Sequence, residues 1–230
     1  MHQQLTLPVS LRDDATFSNY VAGDNRHIVS ALHDLINNNT DERFVYLWGA
    51  PGVGCTHLQQ ACCHTIFERR APAMYLSLAD KALRPDVLCN LEVMDFMFID
   101  DLQAVLGHRL WEESLLHFYN RLRDGGCRLV VAANAPPVQL ACTLPDLVSR
   151  LSWGLVFPVK IMSDTSKKKA IQLRATSRGF KLSDEVAHYV LKRYPRDMTA
   201  LFQVLDVLDQ ASLIAKRKIT VPFVKEALSS

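Results

Sequence analysis

A glycine-rich turn between an apolar strand and a helix constrains this chain more than any other stretch. Residues 44–48 are apolar and predict a buried strand, and the residues after the turn predict a helix. Between them, Gly49, Gly54 and Thr56 fit the phosphate-loop spacing G-x-x-x-x-G-K-S/T. Cys55 stands where that motif has lysine. The sequence therefore predicts the shape of a nucleotide-binding loop without its positive charge.

The missing lysine has a predictable cost. Backbone N–H groups and the helix N-terminus can still hold phosphates, and the Thr56 hydroxyl can still reach Mg²⁺. A hydrogen bond to a charged group contributes about 1.5–3 kcal/mol, so its loss weakens nucleotide binding by roughly one to two powers of ten. Hydrolysis should suffer more, because the lysine charge also stabilises the transition state. An ordinary strand-to-helix turn is the alternative interpretation.

Composition excludes several classes of protein. The 230 residues suffice for one large α/β domain and a small second one, and 49% of them are hydrophobic. A formal charge of +2 argues for neither nucleic acid nor an anionic membrane as a partner. No signal peptide and no apolar run of about 20 residues is evident, so we expect a cytoplasmic protein. The six cysteines predict free thiols, and the scattered histidines predict no metal cluster.

The pattern of apolar runs predicts an α/β fold with a parallel five-stranded sheet covered on both faces, because the strands are apolar throughout rather than alternating. After Lys160 the pattern becomes helical and predicts a small all-α domain. The predicted domains are an extended peptide (residues 1–11), an α/β core (12–160) and a helical domain (161–230). The predicted strands are residues 44–48, 74–78, 96–99, 129–133 and 155–159.

Polar residues follow two of the predicted strands. Asp100 and Asp101 end the third strand, where Asp100 suits Mg²⁺ ligation and Asp101 suits positioning of a water molecule. The alternative is an ordinary strand that ends in Asp. Asn134 ends the fourth strand, from which its side chain can reach a γ-phosphate. The alternative for Asn134 is a turn residue before two prolines.

Arg150, just before the fifth strand, is the charge of most interest. An arginine on the far side of such a domain can enter the nucleotide site of a neighbouring molecule, where it is worth about 10³–10⁵ in phosphoryl transfer. The alternative is a helix-surface arginine paired with Asp146, four residues earlier.

The N-terminal peptide alternates apolar and polar residues and predicts an extended segment. Leu5, Leu7 and Val9 are apolar, Pro8 excludes a central strand, and Gln4 offers hydrogen-bonding groups. Such a segment suits docking on another protein, with Leu7 and Val9 in an apolar pocket. The alternative is an edge strand.

These motifs together resemble the AAA+ core of DnaA, the bacterial replication initiator, from about Thr16 to the C-terminus. The likeness lies in residues 16–23 with Asn25, residues 49–58, residues 99–101, and Ser149 and Arg150 with Trp153 and Gly154. A regulatory branch of the family is matched by residues 144–147, 191–193 and 220–226 and by the N-terminal peptide.

The resemblance implies a nucleotide site in an AAA+ P-loop core followed by a helical lid. Phe17 and Val21 would flank the adenine, and Mg²⁺ would be held by Thr56 and Asp100. A nucleoside diphosphate, ADP or CDP, would be bound weakly. Thr199 stands where the family usually has its sensor-two arginine, and Arg196 lies three residues earlier. The implied nucleotide-binding residues are Phe17, Val21, Gly49, Gly52, Gly54, Cys55, Thr56, Asp100, Asp101 and Asn134.

The resemblance also implies a function. The peptide, through Gln4, Leu5, Leu7, Pro8 and Val9, would dock on the DNA-loaded sliding clamp (beta) of DNA polymerase III. Arg150 would then act as an arginine finger in the ATP site of DnaA, leaving inactive ADP-DnaA and limiting replication initiation. The chain itself would be a degenerate ATPase that activates its partner's hydrolysis.

Two further functions stay open from the sequence. One is a self-sufficient ATPase of the helicase-loader kind, and the other is a nucleotide-free scaffold that recruits DnaA. Cys55 and Thr199 argue against the first. The chain leaves no room for the family's DNA-binding domain after the lid, so we expect no sequence-specific DNA binding. A homodimer or oligomer remains compatible with the sequence, and no membrane contact is expected.

Overall fold

The protein forms two compact units in a computed structural model that describes residue 11 and residues 15–91 and 93–228. One unit holds residues 27–159 with the described residues up to Phe17, and the other holds residues 18–26 and 160–228. Residues 18–26 fall within the α/β core predicted from the sequence (12–160). They group instead with the helical unit, and their contacts explain why.

The first unit is built on a sheet of five parallel strands in the order β2-β3-β4-β1-β5, which confirms the predicted fold class. The second strand begins and ends one residue earlier than predicted. β1, β3 and β4 are almost wholly buried because they have neighbours on both sides and helices against the sheet. The strands are β1 Phe44–Trp48, β2 Ala73–Ser77, β3 Phe96–Asp100, β4 Arg128–Ala133 and β5 Leu155–Pro158.

Helices connect the strands of this unit, and their apolar faces fill its core. Tyr46 from the sheet and Phe118 from a connecting helix are among the largest fully buried side chains. Short 3₁₀ turns begin at Pro85, Leu102 and Pro137. The α-helices are α1 Arg26–Ile36, α2 Cys55–Glu68, α3 Arg109–Gly125 and α4 Pro145–Leu151.

The second unit is all-helical within the described residues, as predicted. Ser163, Ser183, Asp197 and Thr220 each accept a hydrogen bond from a backbone N–H in the first turn of the helix that follows. Such caps satisfy N–H groups that have no partner inside the helix. The helices are α5 Asp164–Ser177, α6 Asp184–Arg193, α7 Met198–Ala215 and α8 Val221–Ala227.

The segment 18–26 belongs to this unit through backbone and apolar contacts. The Asn25 side chain donates to the Lys160 carbonyl at 3.0 Å and accepts from the Lys160 N–H at 2.9 Å. Val21 packs against the helical core. A two-way bond of this kind satisfies both backbone groups of Lys160 and attaches the short segment to the start of the helical unit.

Within the described residues, one helix is long and apolar enough to cross a bilayer on length and composition alone. It is α7, and only 22% of its 18-residue window is buried. Leu201, Leu205 and Leu208 of this helix lie in the core of the helical unit.

Glu112 ties the start of α4 to α3 from a fully buried position. Its carboxylate accepts from the backbone N–H groups of Gly107, Thr143 and Leu144 at 2.8–3.1 Å, and from the Thr143 hydroxyl. Burial raises the pKa of Glu112, but these hydrogen bonds outweigh it, so the pKa lies below its ordinary value. The carboxylate therefore fixes the loop that leads into α4.

Replacing Glu112 with Gln should lower the free energy of unfolding by about 1–3 kcal/mol at neutral pH, because an amide N–H would face the loop's donors. The folded-state pKa is depressed. The stabilisation is therefore present above the unfolded-state pKa and is lost as the pH falls through the folded-state value. Urea unfolding of both proteins, repeated in acid, should show the difference narrowing as the pH falls.

The matched control is Glu113→Gln, at an exposed residue paired with Arg109 at 2.7 Å. Exposed pairs contribute about 0.2–1 kcal/mol, so this change should be small at every pH. Equal stability of the wild type and Glu112→Gln at neutral pH would contradict the role assigned to Glu112.

Candidate functional site

The loop between β1 and α2 has the backbone that its glycines predicted. A Cβ atom on Gly49 would lie 2.8 Å from the Val159 carbonyl oxygen and 2.8 Å from Val53 Cγ2. Gly52 and Gly54 have φ angles of 81° and 109°, which residues with a side chain rarely adopt. The glycines are therefore required by close packing at one position and by left-handed backbone at two others.

Cys55 begins α2 and leaves the loop uncharged. Its thiol is half-buried. Burial, with a smaller contribution from the charge of Asp100, raises the pKa of Cys55 to about 12. The side chain is therefore neutral at physiological pH, and it can neither neutralise a phosphate nor act as a reactive thiolate.

Asp100 ends β3 and is 3% exposed. One carboxylate oxygen accepts from the Tyr75 hydroxyl at 2.8 Å and the other from the Asp101 N–H at 2.9 Å. The Thr56 hydroxyl also hydrogen-bonds this carboxylate. The structure thus brings together Thr56 and Asp100, the two residues predicted to hold Mg²⁺.

The chemistry of this pair suits magnesium bound with a nucleotide. Burial raises the pKa of Asp100, against the lowering effect of its hydrogen bonds, so the site favours a cation that would offset the buried charge. Mg²⁺ is usually bound by one or two carboxylates together with substrate phosphates. Among the described residues, no group of three His, Cys, Asp or Glu side chains could hold a metal by itself. Thr56 and Asp100 therefore fit a nucleotide-borne Mg²⁺.

A chain of polar contacts continues from Asp101 to Asn134. Asp101 has a left-handed backbone and accepts from the Ser77 hydroxyl at 2.8 Å. Gln103 donates to Asp101 Oδ1 at 3.3 Å and accepts from the Asn134 N–H at 3.2 Å. Asn134, an exposed residue, therefore lies at the same edge of the sheet as the two carboxylates, as its position after a strand predicted.

Sequence reasoning missed several residues that build this edge. Tyr75, Ser77 and Gln103 hold the two carboxylates in place through the contacts just given. Gln59 is fully buried and donates to the carbonyl oxygen of Ile99 at 3.0 Å, which anchors α2 to the sheet beside the loop. A polar residue on the buried face of a predicted helix is the one sequence signal that could have identified Gln59.

The residues predicted to flank an adenine belong to different units. Phe17 stacks on His33 with ring centroids 4.2 Å apart, in the α/β unit. Val21 packs in the helical unit. Their role toward a nucleotide stays a prediction.

The sensor-two region lies at the start of α7. Arg196 lies outside this helix, which begins at Met198. Its guanidinium forms an ion pair with Asp164 at 3.2 Å within the helical unit. Thr199 is exposed near the start of α7.

Arg150 lies in the last turn of α4, and its guanidinium is over the ring of Trp153. The guanidinium carbon is 4.2 Å from the ring centroid. Among the described residues it forms no ion pair with Asp146, so the alternative interpretation, a helix-surface arginine paired with Asp146, is wrong. The helix carries the arginine as expected, but an aromatic ring three residues later is its partner.

An aromatic series connects Trp153 to the first strand. Trp153 meets Tyr119 edge-on with centroids 6.5 Å apart, and Tyr119 meets Phe44 edge-on at 5.2 Å. Gly154 has a φ of 74°, and a Cβ there would collide with the Phe44 carbonyl oxygen. The chain after Arg150 is thus pressed against the beginning of β1.

The arginine and the glycine-rich loop therefore lie at opposite ends of the strands, with Arg150 near the amino end of β1 and the loop at its carboxyl end. β1 begins at Phe44, beside Gly154, and ends at Trp48, where the loop starts. Those two residues are separated by four steps, or roughly 13 Å along the strand. Arg150 belongs to the turn that precedes Gly154, so it lies near the start of β1 and not near the loop at its end.

The peptide residues Gln4, Leu5, Leu7, Pro8 and Val9, predicted to dock on a partner, lie outside the described residues.

The parallel sheet, the glycine loop with Thr56 and Asp100, and the helical unit after residue 159 define an AAA+ ATPase-like domain. A sequence model of the bacterial DnaA ATPase domain matches residues 11–158, and a model of the lid domain of Hda matches residues 164–228. The chain accordingly belongs to the bacterial DnaA family, as an Hda/DnaA-type AAA+ protein.

Solved structures share this fold. Domain III of the Thermotoga maritima replication initiation protein DnaA superposes with a TM-score of 0.85 at 22% identity, over 95% of this chain and 97% of that one. AMPPCP-bound DnaA from Aquifex aeolicus gives 0.73 at 22%, over 90% and 69%. The Thermotoga maritima RuvB Holliday junction branch migration motor gives 0.72 at 17%, over 95% and 72%. At these identities the likeness concerns the fold.

Restoring the missing charge should strengthen nucleotide binding. Cys55→Lys would place an ammonium group near Asp100, where it offsets the buried carboxylate and reaches the phosphates. We expect Mg·ATP and Mg·ADP to bind about ten- to a hundred-fold more tightly. Titration with a fluorescent nucleotide analogue, followed by competition with unlabelled nucleotide, measures the change.

The control for this substitution is Cys55→Met, which has a similar length and no charge. It should bind nucleotide no better than the wild type. Equal affinities of the lysine and methionine variants would contradict a phosphate-holding geometry for the loop.

Proposed function

We propose that this protein is a negative regulator of replication initiation that stimulates ATP hydrolysis by DnaA with Arg150. The observation that carries the proposal is the position of Arg150, near the amino end of β1, whereas the chain's own loop follows the carboxyl end of that strand. Arg150 therefore acts only on a nucleotide held by another molecule. DnaA is the partner proposed, because an AAA+ protein of the same family offers a complementary face.

The chain's own site supports an activator rather than a self-sufficient ATPase. Cys55 is neutral, so the charge that grips phosphates and stabilises the transition state is missing. Thr199 supplies no charge at the sensor-two position, and Arg196 is paired with Asp164. Both departures weaken contacts to a γ-phosphate.

A bound nucleoside diphosphate fits this weakened site better than a triphosphate. Backbone N–H groups of the loop would hold ADP or CDP, with Mg²⁺ at Thr56 and Asp100. The AMPPCP in the Aquifex aeolicus DnaA structure belongs to that protein, and it supports nucleotide binding here only through the shared fold. In this proposal the nucleotide stabilises the domain and is not turned over.

Docking on the sliding clamp is the second part of the proposal. Gln4, Leu5, Leu7, Pro8 and Val9 would form an extended segment that places the protein beside DnaA on replicated DNA. An extended peptide gains affinity from main-chain hydrogen bonds and specificity from pockets for its side chains. The protein would act in the cytoplasm, through these two protein partners and without sequence-specific DNA contacts.

The proposal is tested by adding this protein and DNA-loaded clamp to ATP-bound DnaA and following conversion of ATP to ADP. Arg150→Ala should return the rate constant to that of DnaA alone, since an arginine supplied in trans is worth about 10³–10⁵. Arg150→Lys should not restore the rate, because a lysine lacks the planar fork of donors.

Arg123→Ala is the matched control, since Arg123 is an exposed arginine of the same unit that pairs with the neighbouring Asp124. It should stimulate like the wild type. If the wild type fails to stimulate DnaA, the regulatory role is wrong, and if Arg150→Ala stimulates fully, the finger assignment is wrong. ATP turnover by the isolated chain would instead favour the helicase-loader class.

The clamp-docking peptide makes a separate prediction. Gln4→Ala combined with Leu7→Ala should abolish clamp-dependent stimulation while leaving the clamp-independent rate unchanged, because the change removes the tether and not the finger. The same ATP assay, run with and without clamp, measures both. Thr6→Ala, at a residue between the two, should behave like the wild type, and stimulation by the double variant would rule out this peptide as the tether.

A further inference from the structure

Arg150 forms the shortest cation–π contact recorded among the described residues, 4.2 Å from the guanidinium carbon to the Trp153 centroid. The contact closes the last turn of α4, where the Trp153 N–H donates to the Arg150 carbonyl at 3.1 Å. The two side chains therefore leave one helical turn together, and neither can move far without breaking the stack.

Trp153 is itself held from two directions. Its ring meets Tyr119, which is 8% exposed and packs against Phe44. The next residue, Gly154, is pressed on the Phe44 carbonyl in a left-handed backbone conformation that a side chain would not permit. Trp153 is nevertheless 44% exposed. An aromatic side chain this exposed, yet anchored to the sheet, provides a fixed platform at the protein surface.

The kind of contact determines what Arg150 can still do. An ion pair with a carboxylate would occupy guanidinium donors and neutralise the charge. A cation–π contact places the guanidinium over the ring and consumes no N–H donor in an ion pair, so the five donors stay available for another partner. A stacked arginine is therefore both fixed in place and free to bind a phosphate.

We propose that Trp153 is a positioning residue for Arg150, holding its guanidinium ready for the phosphates of a nucleotide bound to the partner. This inference rests on the proposed function of Arg150 and adds a residue to it. Trp153 acts through Arg150 and does not itself touch the nucleotide. Its benefit lies in the rate of hydrolysis, because the arginine is already ordered before the partner's site closes over it.

Three variants of Trp153 separate a platform from simple packing. Trp153→Ala removes the ring, Trp153→Leu keeps apolar volume without a π-face, and Trp153→Phe keeps a smaller π-face. In the DnaA ATP assay at saturating protein, we expect Ala and Leu to lower the stimulated rate constant about 3- to 30-fold. Phe should stay within about 3-fold of the wild type. The protein concentration for half-maximal stimulation should change little in all three.

The Arg150→Ala background tests whether Trp153 acts through the arginine. Stimulation is already lost there, so binding to ATP-bound DnaA is measured instead, and Trp153→Ala should weaken it no further, as expected for two residues that act as one unit. Phe67→Ala is the matched control, because Phe67 is a similarly exposed aromatic residue, 42% exposed, on α2. It should stimulate like the wild type, and thermal unfolding of every variant identifies any loss caused by reduced stability.

Each other outcome overturns the inference. If Leu stimulates as well as Phe, the ring contributes packing and no cation–π platform. If only the half-saturating concentration rises, Trp153 contacts the partner directly. If Trp153→Ala keeps the full rate while Arg150→Ala abolishes it, the positioning role is wrong and the finger stands. If Arg150→Ala keeps the full rate, the proposed function fails first.

Discussion

The parallel direction of all five strands is the constraint on which the α/β unit depends. Each connection between parallel strands must cross back over the sheet, so all strands begin on one side of the sheet and end on the opposite side. The glycine loop, Asp100 and Asn134 all lie at the carboxyl ends of the strands, although they are far apart in sequence. The helix before β5 must end near the amino ends of the strands, and Arg150 lies in its last turn. The parallel direction of the strands thus creates two chemically different ends of the α/β unit.

Much of the fold could be predicted from the sequence because parallel strands buried on both faces are apolar throughout. The runs ending at Trp48, Ile99 and Ala133 show this pattern, and their strands lie within a residue of the expected ends. The pairing of Thr56 with Asp100 was also predictable, since both follow strands that leave the same edge. These predictions needed only strand direction and no side-chain detail.

Other parts of the site depend on register, which the sequence does not reveal. Tyr75 and Ser77 are ordinary strand residues until β2 is aligned on β3, where Ser77 lies opposite Asp100. Helical spacing alone offered Asp146 as an alternative partner for Arg150. The competing contact with Trp153 requires a tryptophan beyond the helix end, and that tryptophan is held by Tyr119 and Phe44, which are distant in sequence. Tertiary anchoring therefore decided between two local partners.

The separation of the amino and carboxyl ends of the strands also makes the α/β unit polar, with a different chemical group at each end. An arginine at one end that serves a loop at the other end of a neighbour makes a head-to-tail contact, and such contacts can extend into open rows of subunits. Under the proposed function, this chain would supply the arginine end of such a contact, while Cys55 leaves its own loop without the lysine that grips phosphates. The single cysteine would then make this protein the terminus of such a row rather than a link in it.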